Sequence, residues 1–198
     1  MEKFLSLPAD KQKRIIDAAL HVFGENTYNK ASTGDIAAAA NISKGMIFHY
    51  FGSKKALYFY LLKLCGEIFS SEREKNLDGE VTDFFDRIRM ATSIKVAATK
   101  KHPYILAFLK NVYFETDSEV VDDVRKMVSH GVSNTWDALL EGIDTSRFKD
   151  PAAPGLLVKL LTWASDGIME NWLDNSDIDA RMNDYFACFE LMKENFYR

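Results

Sequence analysis

Ser32-Thr33-Gly34-Asp35-Ile36-Ala37-Ala38-Ala39-Ala40-Asn41-Ile42-Ser43-Lys44-Gly45-Met46-Ile47-Phe48-His49-Tyr50-Phe51 is the stretch whose reading decides the fold. Ser32-x-x-Asp35 has the capping-box form and predicts a helix start, because the serine oxygen can accept from an unpaired N–H of the first turn. Ile36 to Ala40 continue that helix, and Asn41 can take the left-handed shape that ends it. Ser43 can cap a second short helix carrying Ile47 and Phe51 one turn apart, and Gly52-Ser53 breaks it. Two short helices joined by a turn of about four residues fit the helix-turn-helix. The steric logic supports the same reading. The second helix must protrude into a major groove about 12 Å wide, and the first must cross it closely, which the alanines at 37–40 permit.

Helical period continues on both sides. Upstream, Ser6 is a candidate cap, Pro8 is tolerated in a first turn, and Gly24 is a candidate stop. Between them Ile15, Ile16, Ala19, Leu20 and Phe23 share one face. Downstream, Leu57, Leu61, Leu64 and Ile68 form a stripe, as do Val81, Phe84, Phe85, Ile88 and Ala91. His102-Pro103 forces a boundary. Tyr104 to Tyr113 predicts a short buried helix, and Ser118 can cap a longer one reaching Ile143. Asp144 to Pro154 reads as a loop. Two strongly apolar stripes close the chain, from Leu157 to Trp172 and from Ile178 to Phe196. No useful β-alternation occurs. The expectation is an all-α protein of about nine helices.

The chain has 198 residues, two cysteines and a formal net charge of -4. That length buries a sizeable core without disulfide staples, and Cys65 with Cys188 makes no disulfide framework. No run approaches the roughly 18 apolar residues of a membrane span, and the first residues carry no signal-peptide pattern. A cytoplasmic protein without membrane partner is expected. The acidic total misleads about nucleic acid. Through residue 55 there are 8 Lys+Arg against 5 Asp+Glu, whereas 56 onward has 17 against 24. The end with the helix-turn-helix is the basic one, the sign that phosphate contact favours.

Ser32-Thr33-Gly34-Asp35-Ile36-Ala37-x-x-Ala40, then Asn41-Ile42-Ser43-Lys44-Gly45, then Phe48-His49-Tyr50-Phe51-x-Ser53-Lys54-x-x-Leu57, closely resembles the TetR family of bacterial transcriptional regulators. Ile16, Ala18, Ala19, Phe23 and Gly24 fit the same pattern. The resemblance covers the first quarter to third of the chain. It implies a three-helix DNA-binding domain at 1–55, with its motif at about 32–51, and a larger helical ligand-binding and dimerisation domain at 56–198. It implies a homodimer on double-stranded operator DNA, in most cases a repressor, released by a small-molecule inducer. By the same resemblance Thr33 touches phosphate, and Lys44 and Gly45 lie near base edges. Met46, Phe48, His49 and Tyr50 belong to the recognition helix, and Lys54 pairs with a phosphate. Asn41 stands where glycine is usual, Phe48 where tyrosine is frequent, and Gly34 where a longer side chain can reach a base. These departures bear on the operator sequence, not on the fold.

Outside the motif the residues invite plainer readings. His49 has no second ligand at helical spacing, and His21, His102 and His130 show no metal spacing with one another or with the cysteines. No metal or cofactor is expected. No phosphate loop, nucleophile elbow or zinc-protease signature is present, so no enzyme is expected. Most middle aromatics must be packing. Tyr113, Trp136 and Trp163 are candidates for a ligand pocket, because each offers a ring and a hydrogen bond. Leu160, Ala164, Ile168, Phe189 and Met192 are candidates for a four-helix dimer interface. The rival reading is a helical ligand-binding or interaction protein whose head has lost sequence-specific DNA binding.

Overall fold

A computed structural model describes residues 1–170 and 178–198, without the side chains of 165–170 and 178–181. The described residues form ten α-helices: α1 (Glu2–Leu5), α2 (Ala9–Glu25), α3 (Thr33–Ala39), α4 (Lys44–Phe51), α5 (Lys54–Asn76), α6 (Phe84–Lys101), α7 (Pro103–Tyr113), α8 (Val121–Leu140), α9 (Ala153–Glu170) and α10 (Ile178–Phe196). Their only β feature is an isolated bridge between Phe148 and Tyr197. No helix among the described residues is long and apolar enough to cross a membrane. The helix beyond the expected nine is α1, a single turn too short to show a period.

The chain forms two compact units, residues 1–71 with 97–131 and residues 72–96 with 132–198. In the first, α2 buries Ile15, Ala19, Leu20 and Phe23 as its stripe requires. Gly24 does not end it. A Cβ built there would lie 2.9 Å from Ala107 Cβ, so glycine lets α2 and α7 approach closely. Asn111 reinforces that contact, its amide donating to the carbonyls of Phe23 and Gly24 at 2.8 Å and of Asn26 at 3.1 Å. The carbonyls of Phe23 and Gly24 in the last turn of α2, and of Asn26 just after it, need partners from outside the helix, and one α7 side chain reaches all three. α7 itself is amphipathic and not buried throughout. Ile105, Phe108 and Val112 are buried, while Tyr104 and Tyr113 are exposed.

Three capping expectations are corrected. Ser6 ends α1, its hydroxyl donating to the Lys3 carbonyl, while Pro8 precedes α2. Ser43 makes no side-chain cap bond. At α8 the carboxylate of Asp117, not Ser118, accepts from the Glu119 N–H at 2.8 Å. Ser32 caps α3 as expected, accepting from the Gly34 N–H at 3.0 Å. Asn41 adopts φ 50° and Gly52 φ 80°, so both turns bounding α4 use the left-handed region their sequences suit.

The second unit packs Phe84, Phe85, Phe148, Leu157, Leu161 and Phe189 into one core. Buried Arg87 closes its loops, donating to the carbonyls of Val81 (2.6 Å), Glu141 (2.7 Å) and Gly79 (3.0 Å). Each of its three nitrogens thus has a carbonyl partner, which offsets the cost of burying the guanidinium.

Candidate nucleic-acid interface

The geometry of α4 follows from which side chains it hides. At 100° per residue Ile47, Tyr50 and Phe51 fall on one arc, and all three are buried. Gly45, Phe48 and His49 fall on the opposite arc, Lys44 lies at its edge in the first turn, and all four are exposed. Met46 lies at the margin, half-buried against the core. An exposed phenylalanine (Phe48 is 44% accessible) beside a lysine and a histidine makes a face of mixed character on a rigid rod.

Rigidity comes from behind. Phe4 of α1 is wholly buried, with its ring 4.8 Å from that of Phe51, 5.6 Å from Tyr60 and 6.1 Å from Tyr50. Such offset and edge contacts between rings add to their burial. Sequence reasoning missed Phe4, whose only signal is one aromatic residue ahead of the first stripe. It also missed Arg14, which donates from Nε to the Ala40 carbonyl at 2.8 Å and ties α2 to the end of α3.

The eight residues expected at DNA therefore divide. Gly45, Phe48 and His49 share the outward face, with exposed Lys44 and half-buried Met46 at its two edges. Tyr50 points into the core, and Thr33 is buried at the start of α3. Lys54 is half-buried at the start of α5, and its ammonium is engaged. It donates to the carbonyls of Tyr28 (2.9 Å), Ala31 (3.3 Å) and Asn29 (3.5 Å), and sits 4.3 Å from the centre of the Tyr28 ring. Three carbonyls match its three protons.

Two buried groups beside this turn are held protonated. Desolvation pushes the Tyr28 and Tyr58 phenols upward from their ordinary value, helped by the carboxylates of Glu119 and Glu115 respectively. Burial alone pushes the Cys65 thiol up to about 12.

The other candidates scatter. Trp136 is half-buried and its indole N–H already donates to Thr162 Oγ1 at 2.9 Å. Trp163 is 66% accessible, and Tyr113 is exposed in the other compact unit. Of the residues expected at a dimer interface, Leu160 and Ala164 are exposed on α9 and Met192 is half-buried. Phe189 is wholly buried in its own unit and offers no surface. The side chain of Ile168 lies outside the described residues. Leu156 and Leu191, which the sequence reading passed over, are exposed apolar residues of α9 and α10. Among the described residues no group of three or more His, Cys, Asp or Glu is placed to hold a metal.

Comparison with known proteins bears on the whole chain and on its head. The family described as bacterial regulatory proteins, tetR family, matches residues 15–61. The fatty acid metabolism regulator protein of Bacillus subtilis (strain 168) is 27% identical over 177 residues, 83% of this chain and 87% of that protein. The IcaR protein of Staphylococcus aureus (strain Newman), an HTH-type negative transcriptional regulator of the biofilm operon icaADBC, is 38% identical over 52 residues. That alignment spans 26% of this chain and 28% of IcaR. The crystal structure of the transcriptional regulator FadR from Bacillus subtilis, in complex with stearoyl-CoA, superposes with a TM-score of 0.67 at 19% identity. It covers 88% of this chain and 95% of that one.

Proposed function

From the premise that the chain belongs to the TetR family of bacterial regulatory proteins and is a DNA-binding transcriptional regulator, we propose that residues 1–55 read the operator and 56–198 sense a ligand and dimerise. The observation that carries DNA reading is the outward face of α4, where Lys44, Gly45, Phe48 and His49 stand clear of a buried aromatic base. Lys44 offers a cation to a base edge or phosphate, glycine at 45 lets the helix approach, and Phe48 offers apolar contact to a thymine methyl. Met46 borders that contact. Tyr50 supports the reading helix from the inside, and Thr33 is buried at the start of α3.

Dimerisation is supported by the exposed Leu156, Leu160, Trp163 and Ala164 of α9 and Leu191 of α10. A second copy of this chain is the partner assigned to them, replacing the buried Phe189. Two heads then read half-sites separated by about 34–36 Å, or a multiple. Repression in the cytoplasm is the regulatory sense assigned to the chain, as IcaR is a negative regulator. We assign it no catalytic activity. The ligand class to test first is a long-chain acyl thioester, because a regulator of fatty acid metabolism aligns over most of both chains and the superposed FadR holds stearoyl-CoA.

Selection of duplexes from a random-sequence pool tests the reading. A properly folded dimer should enrich a palindromic sequence and bind it with a steep salt dependence. No preference over random DNA at any salt would sink the regulator reading in favour of a helical interaction protein. Stearoyl-CoA, with coenzyme A alone as control, should then release the selected duplex.

A further inference from the structure

Glu115 is 6% accessible, and its two oxygens serve different parts of the chain. Oε1 accepts from the N–H groups of Thr116 and Asp117, both at 2.9 Å, within its own turn between α7 and α8. Oε2 accepts from the Tyr28 N–H at 3.0 Å, 87 residues away, with the Tyr58 hydroxyl at 3.5 Å. A carboxylate that only capped its own turn would not need the second oxygen turned inward.

Tyr28 is held on every side. Its N–H donates to Glu115 and its carbonyl accepts from Lys54. Its ring lies under the Lys54 ammonium, and its hydroxyl donates to Glu119 Oε1 at 2.9 Å. The Glu119 carbonyl in turn accepts from Lys55 at 2.8 Å, and Lys55 pairs with Asp123 at 2.9 Å. Tyr28 sits four residues before the cap of α3. Lys54 also grips Ala31, the residue next to that cap, so the hold on Tyr28 extends directly to the start of the helix-turn-helix.

We propose that Glu115 is a positioning residue for DNA reading: its carboxylate bridges the α7–α8 turn to the Tyr28 turn and so sets the placement of α3 and α4. Lys54 belongs to the same device and not to the phosphate-binding set. The proposal rests on the DNA-reading assignment for α4 and extends it to the α7–α8 turn. Displacement of that turn reaches the head through this buried carboxylate, with the Glu119 contacts to Tyr28 and Lys55 beside it. The chemistry makes the bridge separable from the local cap. In a Glu115→Gln chain the one amide oxygen can keep the Thr116 and Asp117 N–H groups. Its NH2 group then faces the Tyr28 N–H, donor against donor. A buried N–H without an acceptor opens the turn.

The test compares full-length wild type with Glu115→Gln, using the duplex that the wild type selects from a random pool and a random duplex. Amide exchange is read residue by residue. The bridge predicts that exchange at Tyr28 rises at least tenfold while Thr116 and Asp117 stay protected. Preference for the selected over the random duplex should fall at least tenfold, with random-duplex affinity at low salt unchanged, because that affinity depends on charge and not on placement. Tyr28→Phe, which removes only the hydroxyl tether, should keep at least half of the preference. An exposed Tyr28 amide with undiminished preference overturns the proposal, and so does faster exchange spread evenly over α2, α5 and α7. A wild-type chain that selects no duplex overturns the DNA-reading assignment itself, an outcome distinct from either.

Discussion

Helices α4 and α9 both expose large apolar side chains, and the same observation means opposite things in the two. On α4 the exposed Phe48 sits between Lys44 and His49, with the apolar back of the helix sealed by Phe4, Tyr60 and the core. On α9 the exposed Leu156, Leu160 and Trp163 recur at i, i+4 and i+7, a continuous apolar stripe. The first face suits a polar, charged partner that offers occasional methyl groups. The second suits another apolar surface. What surrounds an exposed ring, more than the ring itself, tells what it meets.

The largest way to break the contrast is from behind α4. Phe4→Ala should cost the first unit about 3–5 kcal/mol, the range for emptying a fully buried phenylalanine site, and abolish duplex selection. Dimerisation through α9 should survive at temperatures where the variant is folded. Thermal melts and sedimentation together check both halves. On the other helix, Trp163→Asp should weaken the dimer by about 2 kcal/mol or more, the scale of an interfacial hot spot. Because Trp163 contributes surface and not core, the monomer should keep its melting temperature.

A finer division separates two lysines. Lys44→Ala should cost about 1–3 kcal/mol on the selected duplex and relax preference at one or two base pairs. Lys54→Ala should leave the salt slope nearly unchanged, where loss of a phosphate contact would flatten it by about one unit. Its measurable effects should be faster exchange around Tyr28 and a smaller preference for the selected over the random duplex.

These assignments show which features local sequence could display. Asn41, Gly52 and Ser32 act within a few residues of themselves, so their turns and cap are legible in the chain as written. The stripe of α2 is legible for the same reason, whereas α5 buries Tyr58, Leu62 and Cys65 with Leu57 and Leu61 and leaves the expected Leu64 and Ile68 half-buried. Gly24 misleads, because its reason is Ala107, brought close only by folding. Glu115 and Lys54 are unreadable in the same sense, with partners 87 and 26 residues away. The outward face of the site was legible from the motif. Its support was not, because Phe4 lies in a helix too short to carry a period.

The smallest expected effect concerns pH. The Tyr28 and Tyr58 phenols and the Cys65 thiol have folded values raised above those of the unfolded chain, so the folded form holds protons that the unfolded form releases. Their contribution is fully present below about pH 9 and fades as pH rises toward 12. Melting temperature should fall as pH rises from about 9 to about 11. Over the same range Cys188, which is exposed, should react with a thiol reagent long before Cys65.

Gly24 carries a consequence for how this chain can change. Glycine inside a helix forfeits roughly 1 kcal/mol against alanine, so a population of variants should gain by replacing it, and nothing about its immediate neighbours forbids the change. Yet one added methyl would have to occupy space already taken by Ala107 and the Phe108 backbone. Improvement at Gly24 therefore needs the facing helix to yield first. The two positions are bound into a shared history, in which the locally better residue stays out of reach by any single step.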